Sequence, residues 1–415
     1  VTVLLERVNP PVEAHVAMAV WLMRARDRPP PQLAPWLAAL PQAFDCTLEW
    51  SEAELQHLHA SPARERAEVL RQWSRAEYAR IFSTFGPPLD FDASYSRFVW
   101  ALSAVWSRSF QLESKAGGTW RVLVPVADML NHVEPVGINQ AEPEAVFRVV
   151  ADEGKPELWH TTAAREEENK GRRARHINEE EAFALVAARD IPAGNEVHLD
   201  YGPRSNAELL TTHGFALLTS AYEEVKLNLG PSPDDELAEL KRRILTAGNL
   251  SAPYALKGDS LTSDSDIVCA LRVLVATAAE LAGSEKTGDK GRGYARAFEG
   301  LPISPANERR WHDVLARQLR LLLKQRESFG TAMDDANVLE SEDASALGVL
   351  AEAKSSERGQ VSEYQVVRGS RQWMAVVTRC SEKVMLRRVL EQLDARRRTE
   401  ERAFAAAFQA VKDEV

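Results

Sequence analysis

Apolar positions recur at helical spacing along most of this chain and alternate in only two short stretches near its middle. Residues 12–24, VEAHVAMAVWLMR, read as a buried helix. Prolines at 29–31 interrupt the pattern, and PWLAALP (35–41) reads as a short helix bounded by prolines. In LEWSEAELQHL (48–58), Ser51 and Glu54 have the spacing of a capping box that starts the next helix. The helical pattern continues over 62–83. In FDASYSRFVWALSAVWSRSF (91–110), Phe98, Leu102, Val105 and Trp106 share one face of a helix that runs towards Arg108. Gly117 and Gly118 then turn the chain into a strand expected at 121–126.

The second alternating stretch is AFALVAARDIPAGNEVHLDYG (182–202). Phe183, Leu185 and Ala187 alternate, Pro192 to Gly194 supply a turn, and Val197, Leu199 and Tyr201 alternate again, as in a hairpin or two neighbouring strands. Between the two stretches, residues 152–181 are dense in both signs of charge and poor in apolar groups. They read as a surface loop, with peptide docking as the sharper alternative. From about residue 222 the pattern is helical. NERRWHDVLARQLRLLLKQ (307–325) puts Trp311, Leu315, Leu319 and Leu322 on one stripe, and EKVMLRRVLEQL (382–393) does the same with Leu386, Val389, Leu390 and Leu393. Gly- and charge-rich stretches at 283–293 and 334–345 are expected to separate these helices. No fixed-period repeat points to a solenoid.

Composition narrows the class. At 415 residues the chain is long enough for two or three domains, and its 45% apolar and 27% charged content is ordinary for a globular protein. A net charge of −10 argues against a surface built to grip phosphates, so direct nucleic-acid binding is not expected. No apolar run is long enough to span a bilayer, and the opening VTVLLERVNPPVEAH lacks the basic start of a signal peptide. The three cysteines, Cys46, Cys269 and Cys380, are far apart with no C-x-x-C pair. They predict neither a disulfide framework nor a zinc site, and they favour an intracellular, reducing compartment.

Two strand ends carry polar residues unsuited to a core. RVLVPVADMLNH (121–132) closes on Asp128, Asn131 and His132, and GNEVHLDYGPRSNAELLTTHGF (194–215) carries Asp200 and Tyr201 where its strand ends. Each has an ordinary explanation. Asn-His after a strand suits a turn, Asp128 could be a helix N-cap, and a strand-terminal Tyr can bury its ring and keep its hydroxyl wet. Arg108 can complement a helix dipole, and His213 before Gly214 suits a helix C-terminus. Metal hydrolysis is the weaker alternative, because His132, His198 and His213 lack short ligand spacing.

Taken together and in order, these segments resemble the SET-domain protein methyltransferases of the Rubisco large-subunit lysine methyltransferase type, a group that includes the actin histidine methyltransferases. The likeness runs through PWLAALP, LEWSEAEL, FVWALSAVWSRSF with Arg108, LVPVADMLNH, GNEVHLDYGPRSNAELLTTHGF and the C-terminal PISPANERRWHDVLARQL and EKVMLRRVLEQL. It implies an α+β architecture: a SET-type β-rich fold over about 1–220 with a helical insert near 12–110, then an all-α substrate-binding domain over 221–415. By the same resemblance the cofactor is S-adenosylmethionine, the partner is a protein substrate, and the chain is expected to be a monomer. Arg108, Asp128, Asn131, His132 and Tyr201 would line the cofactor site, and Tyr201 would be the catalytic tyrosine. His213, Phe215 and Asp200 would lie along the substrate channel, with no metal.

Two departures are visible. The family opens with a β-rich, glycine-containing segment that binds the methionine end of the cofactor, and this chain begins after that point. His213 stands where many members have a tyrosine. Lysine is the favoured acceptor and histidine the runner-up, and a catalytically weak SET-like binding scaffold is the alternative. Whether the compartment is plastid, cytosol or nucleus is left open by the family.

Overall fold

The computed structural model describes residues 5–85, 89–113, 119–134, 145–150, 157–158, 182–187, 190–257, 261–283, 292–347 and 366–413. By packing, the chain divides into two units, Val1–Ala221 with Val367–Thr378, and Tyr222–Val366 with Arg379–Val415. The sequence assigned all of 221–415 to one domain, but the stretch Val367–Thr378 groups with the first unit. The reason is local. Arg371 donates to the Asp45 carboxylate at 2.9 Å, to Glu54 at 3.2 Å and to the carbonyls of Phe44 and Glu49 at 3.1 and 3.2 Å.

The first unit is built on helices. α1 (Ala14–Asp27) buries Val16, Val20, Leu22 and Met23 in one cluster with Phe98, Leu102 and Val105 of a later helix, Tyr95–Arg108. Each such side chain contributes about 1.5–3 kcal/mol by leaving water. Between these two lie α2 (Ala34–Ala39), α3 (Glu52–Gln56) and α4 (Pro62–Phe85). The capping box at Ser51 and Glu54 is present, with the Glu54 N–H donating to Ser51 Oγ at 3.2 Å and the Ser51 N–H donating to the Glu54 carboxylate at 2.6 Å. The helix Tyr95–Arg108, α5, starts at a Ser94 cap and stops at Arg108. The next residues are already strand. β1 (Ser109–Glu113) pairs antiparallel with β2 (Thr119–Leu123), placing Gln111 opposite Arg121.

The strand expected over 121–126 therefore ends at Leu123. Pro125 cannot donate to a ladder, and the chain turns there into a short 3-10 helix, Ala127–Met129. β3 (Asn131–His132) follows. The described part of 135–181 consists of β4 (Ala145–Val150) and β5 (Glu157–Leu158), and the rest of the expected charged loop, 152–181, lies outside the described residues. β4 is central to a three-stranded sheet of order β5-β4-β6, with β6 at Ala182–Ala187. β7 is only His198–Leu199, and it pairs parallel with β3, Asn131 opposite His198 and His132 opposite Leu199. The two strands in 182–202 are thus not partners of each other, as the alternation suggested. Each finds an earlier strand instead.

α6 (Asn206–His213) closes the unit. Gly214 takes φ 78° behind it, and a Cβ there would meet the Asp45 carbonyl carbon at 2.6 Å and the Cys46 nitrogen at 2.7 Å. Only glycine lets the two backbones approach this closely while supplying a left-handed C-cap.

The second unit departs from the all-α expectation by one hairpin, β8 (Glu224–Leu227) with β9 (Tyr254–Lys257). Its remaining described elements are helical. The long helix Pro305–Arg326 buries Trp311, Leu315 and Leu319, and Leu386, Val389 and Leu393 of Arg371–Asp413 join the same core. The stretch 334–345, read from composition as a separator, contains helical turns at Ala332–Ala336 and Ser341–Ala346. Of the other separator, 284–291 lies outside the described residues. Buried charges here are paired: Arg272 with Glu308 at 2.8 Å, and Lys383 with Asp335 at 2.8 Å.

Candidate active site

The site forms where β3 and β7 run side by side. Parallel pairing brings Leu130–His132 next to Leu199–Tyr201, although about seventy residues separate them in sequence. The Val133 N–H donates to the Leu199 carbonyl at 3.0 Å. The Tyr201 N–H donates to His132 Nδ1 at 3.0 Å, and the Tyr201 hydroxyl donates to the Leu130 carbonyl at 2.6 Å. Both ends of Tyr201 are therefore fixed by the opposite segment. Its ring lies against an apolar cluster of Ala127, Leu199, Phe110, Val124, Leu130 and Val197.

An aromatic group surrounds that ring. His132 stacks on Tyr201 with centroids 5.0 Å apart, His213 lies at 5.3 Å and Phe215 at 6.3 Å. His213 reaches this position because it ends α6, with the Gly214 N–H accepted by the Leu209 carbonyl. Asn206 fixes the returning chain, donating to the Leu217 carbonyl at 2.8 Å and accepting from the Leu217 N–H at 2.7 Å. Four of the expected site residues, His132, Tyr201, His213 and Phe215, thus meet.

Burial decides the protonation states. His132 is pushed down to about 4, by burial first, with the Arg204 and His198 charges adding to it. His213 is pushed down to about 3, again by burial and then by Arg204, His132 and Arg121. Both imidazoles are neutral at pH 7. Tyr201 is pushed up to about 12 by burial, so its phenol keeps its proton. Because His132 Nδ1 accepts from the Tyr201 N–H, the ring proton sits on Nε2. That Nε2 is buried and has no hydrogen-bond partner among the described residues.

Asp128 and Asn131 are each tied to a distant segment. The Asp128 carboxylate does not meet Tyr201. It is buried and accepts from Trp36 Nε1 at 3.0 Å, with Arg108 Nη1 at 3.5 Å. Arg108 Nη1 also donates to the Asp128 carbonyl at 2.9 Å. Asp128 thus ties α2 and the end of α5 to the Ala127–Met129 turn. Burial raises its pKa, against the opposing Trp36 hydrogen bond and Arg108 charge. The Asn131 amide, expected to line the cofactor site, is exposed and donates to Glu196 at 2.5 Å. Asp200 caps its own turn by accepting from the Gly202 N–H at 2.8 Å, and burial pushes it up to about 6. The turn before Asp128 is strained. Val126 has φ 74° and ψ −49°, a region β-branched residues avoid at about 1–3 kcal/mol. Val126 is 68% exposed and Met129 is 44% exposed.

Sequence reasoning missed Arg204, Arg121 and Trp36. Arg204 is half-buried, and its Nε donates to the Tyr201 carbonyl at 3.1 Å. In sequence it reads as an ordinary surface charge after a turn. Its position three residues beyond Tyr201 was the available signal.

Residues 232–386 match the Rubisco LSMT substrate-binding family. Actin-histidine N-methyltransferases from Papio anubis and Homo sapiens are each 25% identical over 351 residues, covering 81% of this chain and 52% of the relative. The chain spans about half the length of the curated relatives it matches. Two solved structures align over 94% of the chain and 77% of their own. The SET domain of LSMT bound to lysine and AdoHcy has a TM-score of 0.63 at 20% identity, and Rubisco LSMT bound to AdoMet has 0.59 at 19%. The fold is that of the LSMT SET proteins. Within this LSMT-type fold, the buried polar atoms without a hydrogen-bond partner among the described residues include three on the segments that build the site, Arg108 Nε, Asp128 Oδ1 and His132 Nε2. Two are donors and one an acceptor, and such a set suits a polar ligand carrying both kinds of group, as S-adenosylmethionine does.

Among the described residues, no group of three His, Cys, Asp or Glu could hold a metal ion, and no helix is long and apolar enough to cross a membrane.

Proposed function

We propose that this chain is an S-adenosylmethionine-dependent protein methyltransferase acting on a side-chain nitrogen, with lysine as the favoured acceptor. The observation that carries this reading is the double attachment of Tyr201 to the Leu130–His132 segment, inside a ring of His132, His213 and Phe215. When bound, the cofactor supplies an activated methyl group, whose transfer to nitrogen uses the nitrogen lone pair and returns the carbon–sulfur pair to sulfur. Arg108, Asp128 and His132 would hold the cofactor through their three unmatched polar atoms. Tyr201 positions the acceptor. Its hydroxyl oxygen still has a lone pair to face a partly positive methyl group while its proton goes to the Leu130 carbonyl.

The aromatic surroundings support a lysine acceptor. Half-buried rings favour loss of the ammonium proton by desolvation, and their faces attract methylated ammonium by cation–π contact. The neutral state of His132 and His213 adds no repulsion. The relatives named for actin histidine keep histidine as the second acceptor to test. The three cysteines are free and buried, which supports a reducing compartment.

The test is transfer of labelled methyl from S-adenosylmethionine to lysate proteins, comparing wild type with Tyr201→Phe, followed by acid hydrolysis to identify the methylated residue. A loss of about 10²–10³ in rate is expected, the usual effect of removing one aligned polar group at a reacting centre. Equal labelling by both proteins removes Tyr201 from the reaction. Binding of the cofactor without labelling of any protein turns the reading into the scaffold alternative.

A further inference from the structure

Resting on that reading, we infer that His213 determines which lysine forms are methylated: its Nε2 accepts an N–H from the acceptor nitrogen. Lysine and monomethyl-lysine are then substrates, and dimethyl-lysine is not. The hydrogen bonds at the end of α6 fix the tautomer. Thr212 Oγ1 lies 2.7 Å from the Glu208 carbonyl oxygen and 2.7 Å from His213 Nδ1. A threonine hydroxyl has a single proton, and a carbonyl oxygen can only accept. The proton therefore goes to Glu208, and His213 Nδ1 must carry a hydrogen that it donates to Thr212 Oγ1. In a neutral imidazole the other nitrogen is then a bare acceptor. Nδ1 is turned to its own helix, and Nε2 lies on the far edge of a ring packed 5.3 Å from Tyr201 and 6.1 Å from Phe215, centre to centre. Among the described residues, His213 Nε2 has no hydrogen-bond partner.

His132 has the opposite tautomer, because its Nδ1 accepts from the Tyr201 N–H at 3.0 Å and leaves Nε2 as the donor. The two imidazoles beside Tyr201 are thus locked as one donor and one acceptor. Tyr201 gives its own hydroxyl proton to the Leu130 carbonyl at 2.6 Å. Tyr201 Oη and His213 Nε2 can therefore only accept, and a side chain entering between them has to donate. An acceptor atom left unmatched in aromatic surroundings is costly, and an arriving N–H removes that cost. In the transfer, the lone pair of a neutral amine forms the new N–C bond as the C–S bond breaks with its pair returning to sulfur. The resulting ammonium then releases a proton to water. Neutral lysine has two N–H bonds and monomethyl-lysine one, so each can give one to His213 while its lone pair faces the methyl. Neutral dimethyl-lysine has none. Its only N–H belongs to the protonated form, in which the proton occupies the lone pair needed for attack. The attacking nitrogen of a histidine acceptor likewise carries no hydrogen.

The test uses the full chain and pools of peptides with randomised flanks, identical except for a central lysine, monomethyl-, dimethyl- or trimethyl-lysine, or histidine. Label transfer from S-adenosylmethionine should reach the first two pools and run about tenfold or more slower on dimethyl-lysine, the usual cost of a buried acceptor left unmatched. His213→Phe keeps a ring against Tyr201 and Phe215 and removes the acceptor, so it should bring the lysine-to-dimethyl-lysine rate ratio towards one. His213→Gln offers an amide oxygen instead and should keep that ratio. Nitrogen-15 NMR of histidine-labelled protein in S-adenosylhomocysteine reads the same atom without turnover. His213 Nε2 should resonate as an unprotonated nitrogen at pH 7. Its signal should move upfield with the lysine pool and stay in place with the trimethyl-lysine pool, which has no N–H. Equal rates on lysine and dimethyl-lysine overturn the inference, as do an unchanged ratio in His213→Phe, transfer to the histidine pool alone, and a protonated Nε2 in the free protein. With no transfer to any pool, the NMR response decides. A lysine-dependent shift leaves the role of His213 standing and sinks the methyltransferase reading, and no shift overturns the inference. Label transfer without discrimination sinks the role of His213 alone.

Discussion

Replacing Asp128 separates a structural role from a ligand-binding one. Its carboxylate accepts from Trp36 Nε1 at 3.0 Å and lies 3.5 Å from Arg108 Nη1, with the side chain fully buried. Asp128→Ala leaves a buried indole N–H and a buried guanidinium without their acceptor. Breaking a buried pair in this way costs about 3–5 kcal/mol. For a unit of this size that lowers the melting temperature by roughly 2–4 °C per kcal/mol, so by about 6–20 °C. Asp128→Asn keeps an acceptor for Trp36 and removes the charge that burial disfavours, so it should cost only about 1–2 kcal/mol. Urea unfolding followed by tryptophan fluorescence measures both, since Trp36 is itself in the network. Loss of less than about 0.5 kcal/mol in Asp128→Ala, within the range of a neutral surface change, would refute the network. So would a pair of variants with full stability and abolished cofactor binding, because Asp128 would then act on the ligand alone.

Two further outcomes follow from the same geometry. Gly214→Ala should destabilise the first unit by about 2 kcal/mol or more in denaturant unfolding, because a left-handed backbone and a 2.6 Å approach to the Asp45 backbone are both incompatible with a Cβ. The pH dependence should carry the signature of the two depressed histidines. Their folded pKa values, about 4 and about 3, lie below the ordinary 6.5. The unfolded chain therefore binds more protons, and stability present above pH 6.5 is lost as pH falls towards those values. Asp200 has the opposite sign. Raised from 3.8 to about 6, it binds its proton in the folded state first, and stability falls as pH rises through 4 to 6. Unfolding free energies from pH 7 to 4.5 should thus drop towards acid, and His213→Gln should flatten that slope. An unchanged slope in the variant contradicts the burial of His213.

The sequence made the helices legible because each carried its own local signals. The Ser51–Glu54 box, the Phe98–Leu102–Val105 stripe and the His213-Gly214 terminus are set by neighbours within a turn or two. The strands were less legible. Period-two alternation over 182–202 says nothing about partner, and β6 and β7 each pair with a distant segment. The hairpin Glu224–Leu227 with Tyr254–Lys257 was hidden inside a helical region, being only four residues on each side. At the site, residue identity pointed to Tyr201, His132, His213 and Phe215, and these meet. Asp128 and Asn131 were assigned by type, but the partners that occupy them, Trp36 and Glu196, lie 92 and 65 positions away. No local pattern encodes such a partner. Arg204 was passed over for the same reason, since a guanidinium looks like any other until its surroundings are known.

The convergence of β3 and β7 on a polar ligand is tested most directly by calorimetric titration of the full chain with S-adenosylmethionine, wild type against His132→Asn. The substitution keeps an acceptor near the Nδ1 position for the Tyr201 N–H and removes the unmatched Nε2–H. Saturable binding near micromolar, about −8 kcal/mol, is expected for wild type, weakened about tenfold or more in the variant. No saturable heat in wild type, or identical affinity in the two proteins, would contradict the assignment of this site to the cofactor.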